Sequence, residues 1–346
     1  MTTDQAAPAP TVPDEQSEPP TPSLIARTAR RPEFGALIGA VVVYVFFVVT
    51  ASGSGFTSVD GTASWLDTAA ELGVVATPVA LLLIAGEFDL SIGSVVGATS
   101  AIVAIGSGTY TMPQWASIPL AIGFGLLVGL VNGLVATRTK LPSFIVTLGS
   151  SLVVGGGALG ISRALSGSTA VTLAPESSVQ AVFGSKAGQF QVSIVWWLAI
   201  ALLAWWVLTR TRTGSWIYAT GGAPEVARDA GVPIARVKIG LFMATSAGAA
   251  LVGVLQTVTY SGGDVTRGSS FIFDGVIAAV IGGVLLQGGY GSALGVLLGT
   301  ATYGVVSLGI FYTGWNTDYA QLFLGGLLLV AVLANNYFRK LALSGR

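Results

Sequence analysis

Apolar residues run along the chain in ten long blocks separated by short polar segments. The blocks cover 34–51, 66–85, 90–106, 115–137, 143–162, 191–209, 237–258, 271–287, 292–312 and 319–338. A helix needs about 20 apolar residues to cross the roughly 30 Å hydrocarbon core of a bilayer. Each block is therefore read as one crossing. The pattern predicts an all-α integral membrane protein of about ten transmembrane helices.

The loops test that count. With the N-terminus inside, the cytoplasmic segments collect Arg27, Arg30, Arg31, Arg138, Lys140, Arg210, Arg212, Arg228, Arg236, Lys238, Arg339, Lys340 and Arg346, and the external ones only Arg163, Lys186 and Arg267. Basic residues concentrate on the cytoplasmic side of membrane proteins. Losing one span would invert every later loop and put the five basic residues of 210–238 outside. Both termini are thus expected in the cytoplasm.

Residues 1–32 form a separate unit. Six prolines and four acids fall within the first 23 residues, where no apolar run exceeds two residues. Such a segment buries too little surface to offset its chain entropy, so a disordered cytoplasmic tail is expected. It lacks the basic start and immediate apolar stretch of a signal peptide. Residues 33–340 are expected to be the membrane domain.

Composition narrows the chemistry. Of 346 residues, 52% are hydrophobic and 9% charged, with a mean hydropathy of +0.77. A soluble domain carries about 25% charged residues. Sixteen basic residues balance sixteen acidic ones, so no charge excess argues for nucleic acid. The absence of Cys and His removes thiolate nucleophiles, Cys-zinc sites and the commonest general base. No G-x-x-x-x-G-K-[ST] occurs, so no P-loop cradles nucleotide phosphates. If ATP powers this protein, another chain binds it.

Glycine is abundant, with 47 residues, many inside spans. Gly35/Gly39, Gly93/Gly97, Gly125/Gly129/Gly133 and Gly295/Gly299 have the four-residue spacing that lets membrane helices approach closely. Close packing alone accounts for any one set. Helices that rock against each other are the functional alternative.

The longest cytoplasmic connection reads TRTRTGSWIYATGGAPEVARDAGVPIARVK over 209–238. Gly221-Gly222 and Gly231-Val232-Pro233 punctuate it. Between them Pro224 suits the first helical position, Glu225 the positive end of the helix dipole and Gly231 the C-terminal cap. A helix of about two turns is expected across the cytoplasmic face. It either docks into a groove on a cytosolic partner or is a plain interfacial loop whose Arg residues meet lipid headgroups.

Four segments together carry a resemblance. GGAPEVARDAGV at 221–232 resembles the coupling-helix segment of sugar-type ABC importer permeases, the branch with the ribose, xylose and autoinducer-2 permeases. AGEFDLSIGS at 85–94 is similar to that family's G-G-x-D-L-S-V-G-S signature, except that Glu87 stands where Gly is usual. NGLVATRTKLPSFIVTLG at 132–149 and AAVIGGVLLQGGYGSALG at 278–295 resemble its fourth-to-fifth and eighth-to-ninth helix connections. The resemblance implies a permease pair in the bacterial plasma (inner) membrane, formed with a second copy or a paralogue. It implies a cytosolic ATPase subunit that holds ATP and Mg, and an extracytoplasmic solute-binding protein that delivers a sugar-like solute. It also implies a coupling role for Gly221, Gly222, Pro224, Glu225, Ala227, Arg228 and Gly231, within a coupling segment 210–237.

Glu87, Asp89, Ser91 and Asn132 are candidates for a gate or translocation path. Acids close to the membrane are costly and functional by default. Asp89 has a second reading as the cap of the third span, with Ser91 bonding another free amide. Asn132 fits interhelical hydrogen bonding or the solute path. Trp196/Trp197 and Trp205/Trp206 stand about 14 Å apart on a helix, too close for both interface belts, so at least one pair is expected against protein or deeper lipid. Asp264 and Arg267 are expected in an external loop, either solvated or meeting a binding protein.

Ten spans divide into five and five, and odd-numbered halves that are related recur with inverted topology. An inverted pseudo-repeat is expected. The functional alternatives are an ion-coupled secondary transporter of a small polar solute and an integral-membrane enzyme. The predicted span centres lack Lys, Arg, Asp and Glu, which counts against proton coupling, and no chemical equipment favours an enzyme.

Overall fold

A computed structural model describes residues 32–139 and 141–344, with side chains for 33–139 and 141–334. The expected tail, with Arg27, Arg30 and Arg31, lies outside the described residues, as do Lys140 and Arg346. Thirteen helices follow in order among them: α1 (Pro32–Thr50), α2 (Val59–Ile84), α3 (Ile92–Ala104), α4 (Gln114–Thr139), α5 (Ser143–Ser166), α6 (Ser177–Phe183), α7 (Ser193–Arg210), α8 (Arg212–Gly222), α9 (Pro224–Asp229), α10 (Ile234–Thr259), α11 (Phe271–Ile281), α12 (Ala293–Thr313) and α13 (Tyr319–Ser344). A π-turn, Ile105–Thr109, extends α3. Among the described residues, strand structure is confined to two short antiparallel pairs, β1 (Ala170–Thr172) with β4 (Gly262–Asp264) and β2 (Lys186–Ala187) with β3 (Phe190–Gln191). The protein is an all-α integral membrane protein.

All ten expected spans fall on helices. Eight are long and apolar enough to cross a membrane, while Phe271–Ile281 and Tyr319–Ala334 are shorter apolar helices. The eighth span corrects the expectation of 271–287. Its helix stops at Ile281 because Gly282-Gly283 follow, with Gly283 at a φ of +87°, and Gly288, Gly289 and Gly291 also have positive φ. Side chains rarely adopt that region and glycine does so freely, so the chain leaves the helix and returns as a glycine-rich loop.

Helix starts follow local chemistry. Ser58, Thr211 and Ser292 each accept the backbone N–H three residues on, at 3.0, 3.2 and 3.0 Å, as N-caps do. The core centres on α2 and α10, whose membrane windows are largely buried, whereas α1 and α5 are largely exposed. Apolar burial drives little helix association inside lipid, so close backbone approach must do it. Gly125, Gly129 and Gly133 lay α4 on Ala250, Phe242 and Ile239 of α10; Gly93 and Gly97 face Gly268 and Val265; Gly295 and Gly299 face Gly282 and Ala278. Gly35 and Gly39 face open space, so their spacing marks no close approach among the described residues.

Helix positions recur along the chain. α2 and α10 have 26 residues each and are offset by 175 positions (234 less 59, 259 less 84). They run antiparallel: Glu87, just past the end of α2, pairs with Lys238 at the start of α10, and Glu71 in the first half of α2 bonds Gln256 near the end of α10.

The first Trp pair packs against protein, as expected of at least one pair, and the second divides. Trp197 is buried and Trp196 stacks on Phe183 with centroids 5.7 Å apart, while Trp206 is exposed.

Candidate functional site

The segment from Ala85 to Ser91, between α2 and α3, gathers three of the four gate candidates. Asp89 Oδ1 accepts from the Ser91 backbone N–H (2.9 Å) and hydroxyl (2.6 Å), and Asp89 Oδ2 accepts from the Thr245 hydroxyl (2.7 Å). Asn132 Nδ2 donates to Ser91 Oγ at 2.9 Å. All four side chains are buried. Burial pushes the Asp89 carboxyl above its ordinary range, against the smaller opposing pull of the bonds from Ser91 and Thr245. The network ties the α2–α3 turn to α4 and α10. Asp89 takes the Ser91 amide, but Ser91 makes no cap of its own. Its hydroxyl is drawn into the network, which corrects the expectation that it bonds a second free amide.

Glu87 stands apart. It forms an ion pair with Lys238 at the start of α10, with both side chains partly exposed. Phe88 N–H donates to Ser143 Oγ at 3.1 Å, so neighbouring residues of this turn grip α5 and α10 separately.

The connection from Arg210 to Lys238 holds more structure than its composition suggests. α8 occupies Arg212–Gly222, a helix absent from the sequence reading; Thr211 as N-cap was its signal. α9 follows as the expected short helix. Pro224 stands in its first turn with Glu225, and Arg228 in its last. Gly231 N–H donates to Arg228 O and Val232 N–H to Ala227 O, both at 2.9 Å, with Gly231 at a φ of +82°. That bond pair is a Schellman termination. Ala227 is buried, while Glu225, Val226 and Arg228 are exposed. α9 is thus anchored by one small residue and presents a mixed charged and apolar face.

Three glycine segments meet where α8 hands over to α9. Gly289 N–H donates to Ile84 O at 2.7 Å. Gly221 lies so close to Ile84 O and Gly289 N that a Cβ there would collide with both. Tyr218 OH donates to Gly291 O at 2.8 Å. The end of α8, from which α9 departs, therefore touches the end of α2 and the α11–α12 loop through backbone at Gly221 and through the Tyr218 hydroxyl. From Gly86 to Asp89 one face of the protein carries the junction, the buried network and α9.

The opposite face carries a cavity of about 550 Å³, bordered by α2, α10, α11 and α12. Glu71 accepts from Gln256 Nε2 (2.7 Å) and Tyr260 OH (3.0 Å), and Asp67 Oδ1 accepts from Gln191 N–H (3.1 Å). Asp67, Glu71 and Gln256 give no signal in the sequence, because each stands within or beside an apolar block where a lone polar residue carries no motif. Arg267, which it did place in a loop, lies 5.1 Å from the Tyr260 ring centre and lines this cavity. Asp264 accepts from Thr266 N–H and hydroxyl, both at 2.8 Å.

The family model described as the branched-chain amino acid transport system permease component matches residues 61–332. The fructose import permease protein FrcC of Rhizobium meliloti is 32% identical over 318 residues, covering 88% of this chain and 86% of that protein. The xylose/arabinose import permease protein XylH of Sulfolobus acidocaldarius is 30% identical over 326 residues, covering 91% and 88%. The ribose import permease protein RbsC of Haemophilus influenzae is 27% identical over 300 residues, covering 86% and 91%. The match spans the junction, the buried network and α9 together, and the chain belongs to this family of transport-system permeases, in the sugar-type ABC importer group that its four sequence segments resemble.

Proposed function

We propose that the chain is the transmembrane permease subunit of an ATP-driven importer for a monosaccharide or related small polar solute. The observation that carries the reading is α9, an exposed, capped helix rooted through Gly221 in the end of α2 and the α11–α12 loop. A force on α9 from a docked ATPase reaches the α2–α3 turn with no flexible side chain between. ATP and Mg belong on that ATPase, and Glu225, Arg228 and their neighbours form its docking surface. The family model's description names amino acids, but the individual relatives named above are sugar permeases, and the solute class follows them. A solute-binding protein meets the opposite face, and a second permease, a copy or a paralogue, completes the path.

The same reading takes ten crossings, both termini in the cytoplasm and a bacterial plasma membrane. Its five-plus-five inverted pseudo-repeat is supported by the antiparallel, equally long α2 and α10 and by the motif shared at Asp89 and Asp264. The ion-coupled secondary transporter is not favoured by relatives that are import permease components.

A mild-detergent pull-down of tagged protein from its native membranes, read by mass spectrometry, tests the proposal. A co-purifying ATPase with a P-loop is the expected result. Recovery of the chain alone, with uptake that survives ATP depletion and collapses with the ion gradient, would overturn it.

A further inference from the structure

We infer that the cavity between α2, α10, α11 and α12, on the face opposite α9, is a holding site for an uncharged polyhydroxylated solute of monosaccharide size, a site within the permease itself. The inference rests on the importer reading and adds to it a place where the solute pauses. Its first support is an unsatisfied acceptor. Gln256 lines the cavity and is only 5% exposed, and its Oε1 has no hydrogen-bond partner. Its Nε2 donates to Glu71 Oε2 at 2.7 Å, which leaves Oε1 as the end of the amide without a partner. A buried acceptor without a donor is unfavourable, and a guest hydroxyl removes the deficit.

The second support is the chemistry of the wall. Asp60, Asp67, Glu71 and Asp274 all border the cavity, against Arg267 and Lys186. The wall is rich in acceptors, so the guest must bring donors. Anions are excluded by the carboxylates. Arg267 is also committed elsewhere, its Nη1 donating to Gly262 O at 3.0 Å and its guanidinium lying over the Tyr260 ring. A bare metal ion is disfavoured too, since no group of three or more carboxylates among the described residues is placed to hold one. The two cations offset half of the acidic charge, and the acceptor oxygens that remain suit a guest with many hydroxyl donors. Vicinal hydroxyls match a carboxylate's paired oxygens, and the rings of Tyr260, Phe271 and Tyr303 offer apolar faces for the C–H side of a sugar. The volume of about 550 Å³ falls within the range of small-molecule sites.

The test is direct binding to the intact permease complex in nanodiscs, without ATP or binding protein. D-Fructose, D-xylose, D-ribose and D-galactose serve as probes, read by saturation-transfer NMR. The expected result is saturable binding of at least one sugar, weakened at least tenfold by Gln256→Leu. Tyr303→Phe, which keeps the ring and removes a hydroxyl bonded to Asp274, is expected to weaken it severalfold, so the result does not depend on one variant folding. Absence of binding by all four sugars, or binding untouched by both variants, overturns the inference. So does displacement of the sugar by lysine amide at equal concentration, which would make the cavity a socket for a basic side chain of a partner protein. ATP-driven uptake is measured in parallel. Intact uptake without sugar binding removes only the holding site, whereas loss of ATP dependence with binding retained removes only the importer reading.

Discussion

Gly93 in α3 and Gly268 just before α11 pack backbone against backbone, each occupying the space in which the other's side chain would stand. Each glycine lies four residues after an aspartate that closes the same turn. Asp89 takes the N–H and hydroxyl of Ser91, and Asp264 takes those of Thr266. The repeated D-x-[ST]-x-G-S therefore places related turns at opposite faces and crosses them at this glycine pair.

That crossing leaves no room for a methyl group. Gly268→Ala is expected to push α3 from the 265–270 segment and destabilise the protein by about 1–3 kcal/mol, the usual cost of overpacking. Gly157→Ala, on α5 with nothing within 4 Å, is the control and should leave the thermal midpoint in detergent unchanged or raised. Equal midpoints for the two variants would contradict the crossing.

The buried network orders its own variants. Asp89 accepts three hydrogen bonds, whereas Asn132 supplies one to Ser91. Asp89→Leu strands the Ser91 amide and the proton of the Ser91 hydroxyl at once, while the Thr245 hydroxyl keeps Phe242 O at 2.9 Å, and each unsatisfied buried group costs about 1–3 kcal/mol. Asn132→Leu removes a donor and leaves Ser91 Oγ short of one lone-pair partner, so its effect should be smaller. Chemical denaturation of the two variants, with Thr245→Val between them, checks the order. A milder effect for Asp89→Leu than for Asn132→Leu would show that the network does not hold the turn.

How far the sequence carried the fold depends on which forces act locally. Span positions were legible, since ten apolar blocks leave a chain few other places to go. α11 was not, because hydropathy continues through Val284-Leu285-Leu286 while the glycines at 282 and 283 stop the helix. The grouping of Asp89 with Ser91 and Asn132 was legible as a set of candidates, yet Thr245, which completes it, is one hydroxyl in an apolar helix 156 positions away. Glu71 and Gln256 were invisible for the same reason. The D-x-[ST]-x-G-S repeat was present at 89–94 and 264–269, but its six positions are too few to rise above chance until the structure shows Gly93 against Gly268.

α9 separates a docking role from a structural one. The Glu225 and Arg228 side chains are exposed and, among the described residues, make no hydrogen bond or ion pair. Glu225→Ala with Arg228→Ala should abolish most ATP-driven uptake while membrane insertion and thermal midpoint stay as in the parent. Gly231→Ala, at a φ of +82°, should instead lower stability by about 1 kcal/mol. Normal uptake in the double variant would remove α9 from the coupling path.

The glycine junction gives the sharpest contrast, because two adjacent glycines differ in their surroundings. A Cβ on Gly221 would strike Ile84 O and Gly289 N, the two atoms joined by the 2.7 Å hydrogen bond between α2 and the α11–α12 loop. A Cβ on Gly222 would meet only Gly289 Cα, at 3.5 Å, an ordinary contact. Gly221→Ala must therefore break that bond or move α8 away from α2, and in either case the rigid link from α9 to the α2–α3 turn is lost. Gly222→Ala should be tolerated. In proteoliposomes holding the full complex, the first variant should still bind its ATPase, since α9 itself is unaltered, yet uncouple hydrolysis from uptake. The second should transport normally. If both variants transport normally, movement of α9 reaches the gate by a route other than this junction.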